Sequence, residues 1–410
     1  MKNVPAILFF MLLPFFSLSQ RTIKGRVVNA ETGVAISGSS VFITNTSKGT
    51  VSNTAGNFEL NDVPSGKHEL IISCIGYETS VFSFSDEQLP LQLKVEMTIK
   101  IKELKNVTLE PSVEEGWDKW GKAFMDNFVG NTANAVHCRI KNEKAIRFRY
   151  YKKTNRLTAF CDEPVLLENK ALGYTISYQL ENFEINFSEQ TVSFIGYSLF
   201  VPVDKDRKQK RWEKKRAEAY NGSIMHFMRS LYANRLIEEG FEIRRMVRTP
   251  NYEKQRVRDI YRGPGLKRID PITGKTIVEY TGPGYISKDS MSYYEYIMRQ
   301  EDYFETYGGS LLTADSLIIE TVDEFKALYF DDYLYITFKK ELEEEGYLKR
   351  QSPQRRATYQ RSYVTLLGEK IISVDKHGNY YNPQDFLTSA YWGWAEKMAN
   401  SLPLEYEAEK

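Results

Sequence analysis

The residues able to do chemistry in this chain are few and scattered. Its four histidines, His68, His137, His226 and His377, lie far apart, and none opens an H-x-x-E or H-x-x-x-H spacing. The local pairing by which a hydrolytic zinc site draws two ligands from one element is therefore missing. Ser373 and Lys376 form an S-x-x-K, but in SVDKHGN, where a strand-like run meets a turn, and so short a pattern arises by chance. Ser223 and His226 stand one helical turn apart. The expected roles are a helix N-cap for Ser223 and a half-buried helix position for His226, rather than nucleophile and base. No G-x-S-x-G elbow, Walker loop or G-x-G-x-x-G is present. The reading is of no catalytic residue, no cofactor and no bound metal.

Charge distribution is the better functional hint. The net charge is only +1, which argues against a whole-chain nucleic-acid binder. Residues 205–268 nevertheless hold 19 Lys/Arg against 8 Asp/Glu, while 285–345 hold 5 against 15. Such blocks either attract one another within the fold or present a basic face to an anionic partner. The candidate face comprises Lys208, Lys210, Arg211, Lys214, Lys215 and Arg216 with Arg244, Arg245 and Arg248. Its expected partner is another envelope protein, an anionic lipid or an acidic glycan. Nucleic acid is not expected, because no stacking aromatics interleave with the basic run.

The envelope setting comes from the N-terminus. Lys2 precedes the apolar run VPAILFFMLLPFF (4–16), and Ser17 and Ser19 stand at the −3 and −1 positions of a cleavage site before Gln20. This has the form of a signal peptide over 1–19. No later stretch approaches the roughly 18 apolar residues of a membrane span. The expected product is exported, and periplasmic or peripherally associated with the outer membrane. Of the three cysteines, Cys74 reads as a buried strand residue alternating with His68, Leu70 and Ile72, while Cys138 and Cys161 could pair in an oxidising compartment.

The elements that would position these residues begin with a regular all-β pattern. TIKGRVVN (22–29), SSVFITNT (39–46), FEL (58–60), HELIISCIGY (68–77), TSVFSFS (79–85) and LQLKVEM (91–97) alternate apolar and polar residues between turns such as AGN and VPSG. About seven strands in under eighty residues cannot shield a core as one sheet, so two sheets packed as a sandwich are expected. The succession G-R-V-V, T-G, I-S-G-S-S-V, S-N-T-A-G-N-F-E-L, V-P-S-G and L-I-I-S-C-I-G-Y resembles the carboxypeptidase-regulatory-like domain, a module common in exported proteins of Bacteroidota. The resemblance implies a transthyretin-like (prealbumin-like) β-sandwich over 20–108. It implies no reaction, since related modules accompany zinc carboxypeptidases without being catalytic and precede the plugs of outer-membrane receptors.

LEPSVEEG (109–116) reads as a linker to a larger α+β domain over 117–406. Trp117, Trp120, Phe124 and Phe128 mark an amphipathic helix ending at Gly130. Hairpins are expected over 144–151 with 156–162 and over 175–187 with 191–203. A charged helix follows at 208–220 and a second helix at 222–240, with Ile224, Phe227, Met228, Leu231, Leu236 and Ile237 on one side. Strands are expected at 241–247, 333–340 and 363–367. Residues 250–310 read as a loop-rich insertion, with RGPG and TGPG turns, and 386–403 as a helix whose Tyr391 and Trp394 serve packing. ENKALGYTISYQLENF, AYNGSIMHFMRSLYANRLIEEGFEI and WGWAEKMANSLPLEY resemble companions of the same module, for which no activity is implied. The expectation is a non-enzymatic exported binding or assembly component. The alternative is an envelope hydrolase acting on peptide or glycan through carboxylates of the second domain.

Overall fold

The computed structural model describes residues 21–100, 112–203, 208–262, 266–269, 276–279, 288–351, 354–368 and 371–408. The expected signal peptide, residues 109–111 and the Gly-Pro-Gly turns at 263–265 and 282–284 lie outside them. The described residues form two compact units. One runs to Ala219 and includes the residues from Lys397 on; the other is Tyr220–Glu396. This division does not coincide with the boundary read at 109–116.

Alternation in the N-terminal sequence produces β1 (Ile23–Asn29), β2 (Ser40–Ile43), β3 (Gly49–Val51), β4 (Asn57–Leu60), β5 (Lys67–Ser73), β6 (Ser80–Ser85) and β7 (Leu91–Met97). They form a sheet of order β4-β1-β7 and a second of order β3-β2-β5-β6. Val27 and Phe58 from the first meet Ile43, Leu70 and Phe84 from the second in one buried core. Gly25 must be glycine here, because a Cβ would lie 2.5 Å from the Leu93 carbonyl and 2.6 Å from the Phe58 ring.

The same unit carries a third, seven-stranded sheet. Its strands are β8 (Ser112–Glu115), β9 (Cys138–Ile140), β10 (Arg147–Tyr151), β11 (Arg156–Phe160), β12 (Val165–Asn169), β13 (Tyr174–Asn186) and β14 (Thr191–Pro202). Residues 112–115 of the expected linker are thus a strand, paired antiparallel with β10 from Ser112↔Tyr151 to Glu115↔Phe148. The helix read from aromatic spacing is α1 (Trp117–Phe124), continued by a wider turn to Val129 and stopped by Gly130 at φ +99°. Its Phe124 and Phe128 are fully buried, with Phe183 4.7 Å from Phe124 and Tyr178 5.0 Å from Phe128. All three cysteines are free.

The N-terminal module is joined to this sheet by backbone. Asn45, at φ +59°, donates its N–H to the Ser198 carbonyl (2.7 Å), and the Phe200 N–H donates to Thr46 (2.9 Å). The turn after β2 therefore forms a short parallel bridge with β14. The C-terminal stretch fastens the same turn: the Leu404 N–H donates to the Asn45 carbonyl (2.7 Å), and the Ser47 N–H to Glu405 Oε1 (2.5 Å). Helix α2 (Gln209–Tyr220) follows β14 as expected.

The second unit opens with α3 (Ile224–Tyr232), shorter than the helix read over 222–240. The left-handed Asn234 at φ +55° turns the chain, and Ile237, expected on the buried side, is exposed. The stretch 250–310 is more regular than its loop-rich reading. After β15 (Phe241–Pro250) come α4 (Tyr252–Arg262), β16 (Leu266–Ile269), β17 (Thr276–Glu279), α5 (Lys288–Arg299) and β18 (Tyr303–Tyr307). Then follow α6 (Ala314–Leu317), β19 (Ile318–Val322), β20 (Phe325–Leu328), β21 (Tyr333–Leu342), α7 (Glu345–Gln351), β22 (Tyr359–Leu366), β23 (Ile372–Val374), β24 (Phe386–Ala390) and α8 (Tyr391–Ala395). The expected terminal helix is corrected accordingly. Phe386–Ala390 pairs with β22, and only the next five residues coil. Tyr391, Trp392 and Trp394 are buried in the core, as a packing role requires. The principal sheet has the order β18-β15-β21-β22-β24, and α3 lies against its apolar face through Phe227, 5.5 Å from Phe241.

Ser223 caps α3 by accepting the His226 N–H at 3.1 Å, while His226 Nδ1 accepts the Gly222 N–H at 3.1 Å. The serine hydroxyl is a cap and not a partner of the ring. Burial holds the His226 imidazole neutral and pushes its pKa down to about 4, against a smaller opposing pull from Glu239. A depressed native pKa favours the fold fully above the unfolded value near 6.5, and the advantage fades as pH falls toward the native value. Stability measured by urea unfolding should therefore drop by about 2 kcal/mol between about pH 7.5 and pH 5. A His226→Gln variant should lack that component; equal slopes in both proteins would contradict it.

Candidate binding cleft

Helix α2 has two faces with different work. Trp212, Arg216 and Ala219 recur at helical spacing and meet the protein. The Trp212 indole N–H donates to the Lys170 carbonyl (3.2 Å), and Arg216 Nε donates to the Leu172 carbonyl (2.8 Å) while its guanidinium lies 4.1 Å over the Tyr174 ring. The turn receiving them is shaped by Asn169, fully buried, whose Oδ1 accepts the Ala171 and Leu172 N–H groups and whose Nδ2 donates to the Ala399 carbonyl. Gly173 completes the seat: at φ +73°, a Cβ would stand 2.3 Å from the Trp212 indole.

The opposite face of α2 borders a cleft of about 760 Å³. Lys210, Glu213, Lys214 and Ala217 form the helix wall, with Arg216 at its edge. Tyr174 and Pro202 of the sheet, Ser47 of the turn after β2, and Pro403, Glu405, Tyr406 and Glu407 of the C-terminal stretch close the rest. Three cations and three carboxylates thus face one space between tyrosine and proline walls. Glu405 is fixed through Oε1 by the Ser47 N–H, while its Oε2 is buried and has no hydrogen-bond partner among the described residues. Groups of this kind bind ions and hydrogen-bonding partners; among the described residues no three His, Cys, Asp or Glu side chains gather to hold a metal.

The nine residues of the candidate basic face fall in two places. Lys208 and the five cations of α2 belong to the first unit. Lys208, Lys210, Arg211 and Lys214 are exposed and make no ion pair among the described residues; Lys215 pairs with Glu218 at 2.5 Å, and Arg216 serves the helix seat. Arg244, Arg245 and Arg248 belong to β15 in the second unit, where each is engaged. Arg244 donates to the Gly308 and Gly309 carbonyls, Arg245 pairs with Asp332 at 2.7 Å, and Arg248 pairs with Glu305 at 2.7 Å. Lys376 of the S-x-x-K pairs with Glu324. Sequence reasoning missed Ser47, Tyr174, Glu405 and Glu407, which no local pattern marks.

Residues 23–109 match the family described as CarboxypepD_reg-like domain. No curated protein is significantly similar to the chain. Among solved structures, a type II cohesin–X-dockerin complex from Acetivibrio cellulolyticus matches at 24% identity and a TM-score of 0.15, over 19% of this chain and about half (51%) of that one. A candidate membrane-associated protein of unknown function from Bacteroides fragilis matches at 9% identity and a TM-score of 0.15, over 87% of this chain and 95% of its own. A candidate carbohydrate-binding protein from Bacteroides uniformis matches at 12% and 0.15, over 44% and 78%. Scores this low carry no argument about fold or ligand.

The seat of α2 is testable by one added methyl group. Gly173→Ala combines left-handed backbone strain with overlap against the indole, and should destabilise by about 2 to 4 kcal/mol in chemical unfolding. Tryptophan emission should shift red as Trp212 loosens; an unchanged midpoint and spectrum would refute this account of the seat.

Proposed function

We propose that the chain is a non-enzymatic binding component of the cell envelope, whose cleft beside α2 receives a segment of another envelope protein. The observation that carries this reading is the mixed lining of the cleft. Lys210 and Lys214 suit an acidic group, Glu405 and Glu407 suit a basic one, and Tyr174, Tyr406 and the two prolines suit the apolar stem between them. A simple polyanion would meet three carboxylates in the same space, which disfavours an anionic lipid or glycan there. The N-terminal apolar run followed by Ser17 and Ser19 supports export, and the match over 23–109 is compatible with a binding role. We read Ile23–Met97 as a transthyretin-like sandwich that presents Ser47 to the cleft, on the two-sheet order of its strands. No helix among the described residues is long and apolar enough to cross a membrane. We place the chain in the periplasm or in peripheral association with the outer membrane, on the signal-peptide form of the N-terminal sequence.

Placing photoreactive benzoylphenylalanine at position 217, inside the cleft, tests the reading in the native envelope. A discrete protein adduct should form, weaken at high salt, and fall at least about tenfold in a Lys210→Glu, Lys214→Glu background, at about 1 kcal/mol or more per reversed charge. Lipid adducts alone, or a protein adduct indifferent to both charge reversals, would overturn it.

A further inference from the structure

The second unit holds a different surface. In the sheet β18-β15-β21-β22-β24, residues directly opposite one another share a face. Tyr307 and Tyr333 both stand opposite Met246, Glu305 opposite Arg248, Tyr303 opposite Pro250, and Tyr363 opposite Tyr335. The reverse face is apolar and buried through Leu334, Ile336 and Val364. Five tyrosines on three strands therefore gather on the outer face, beside Arg248 and, opposite Tyr335, Arg244 on the fourth.

The rings are held and not merely adjacent. Tyr307 lies 4.9 Å from Tyr335, which lies 5.4 Å from Tyr363, and the Arg248 guanidinium is 4.8 Å from the Tyr333 ring and 5.7 Å from those of Tyr303 and Tyr363. Glu305 ties the group together, accepting from Arg248 Nη2 at 2.7 Å and from the Tyr307 hydroxyl at 2.5 Å; the Tyr307 and Tyr363 hydroxyls are 3.3 Å apart. Burial pushes the Glu305 carboxyl up, but the Tyr307 and Arg248 hydrogen bonds outweigh it and keep its pKa below the usual range. Tyr303 and Tyr307 remain 47% and 42% exposed, Tyr333, Tyr335 and Tyr363 are half-buried, and Arg248 Nε is buried without an acceptor among the described residues.

We infer that this face binds a neutral oligosaccharide. The negative faces of aromatic rings attract the weakly positive C–H face of a pyranose, and tyrosine supplies rigid contact area at low entropic cost. The hydroxyls that edge a sugar both donate and accept, which suits the planar Arg248–Glu305 pair and the phenolic groups beside it. Glu305 balances Arg248, and Arg244 on the same face is engaged by the Gly308 and Gly309 carbonyls, so the rings rather than a free charge offer the contact. Four adjacent strands span roughly 14 Å, the reach of a short oligosaccharide rather than a single sugar. A bilayer would demand a contiguous apolar surface, and an ion pair with phenolic hydroxyls is at the centre instead.

Affinity electrophoresis of the full chain through gels containing soluble xyloglucan, mixed-linkage β-glucan or α-mannan tests the inference. At least one polysaccharide should retard it, with little change on adding salt, whereas the cleft beside α2 is salt-sensitive. Tyr307→Ala, at the exposed edge, and Arg248→Lys, which keeps the charge but not the planar fork, should each weaken retardation about tenfold. Circular dichroism should show both variants folded as the parent is, and Lys210→Glu, Lys214→Glu should bind as the parent does. No retardation by any of the three polymers would overturn the proposal. So would retardation that both face variants retain, or pelleting with neutral phosphatidylcholine vesicles that both variants lose.

Discussion

The architecture of the first unit depends on a few backbone hydrogen bonds around Asn45. A left-handed asparagine lets the turn after β2 leave its own sheet and align Thr46 with Leu199 of β14, while the Asn45 carbonyl accepts from Leu404. Asparagine tolerates this conformation better than most residues, and its side chain is used as well, since Oδ1 accepts from the Ser198 hydroxyl at 2.7 Å. Each bond contributes only about 1 kcal/mol. Their convergence on one turn, however, joins a module, a sheet and the C-terminal stretch into one compact body. Side-chain bonds from Ser73 to Gln179 and from Thr79 to Glu181, both 3.0 Å, extend the junction.

From that junction the cleft follows. Glu405 lines the same space as Lys214, held there by the Leu404 bond to Asn45 and by Ser47 on one carboxylate oxygen. On the other side, Trp212 and Arg216 hold α2 by its far face and leave Lys210 and Lys214 to the space. The basic stretch of the sequence is thus divided by use. Its α2 portion is mostly solvent-facing, and its β15 portion is neutralised inside the second unit by Asp332 and Glu305, with Arg258 and Lys254 meeting Asp302 further along. The opposing charge blocks attract one another within the fold there, while Lys210 and Lys214 of α2 remain available.

How much of this the sequence disclosed depends on the range over which each feature is encoded. Alternation made β1, β2 and β4 to β7 legible, and the long β13–β14 hairpin likewise, because every second residue reports its face; the three-residue β3 was too short to read. Aromatic spacing made α1 legible. The helices of 250–310 were not, since Val257 and Ile297 are the principal buried residues of polar, tyrosine-rich segments and give too little periodic signal. Phe386–Ala390 was misread because five residues of FLTSA suit either state, and pairing with β22 decides. The cleft lay beyond sequence reasoning altogether, as Ser47 and Glu405 are 358 residues apart. The tyrosine face is a case between these: its residues alternate visibly along β18 and β21, but only register brings them together.

The account stands on the C-terminal stretch acting as a structural wall of the cleft and a tie to the N-terminal module. Amide hydrogen exchange on a chain ended after Leu402 measures this directly. Exchange should quicken at Asn45–Lys48, while 209–217, seated by Trp212 and Arg216, and β1 in the module core stay protected. Unchanged protection at Asn45–Lys48 would contradict the account, because the turn would then be held without Leu404 and Glu405.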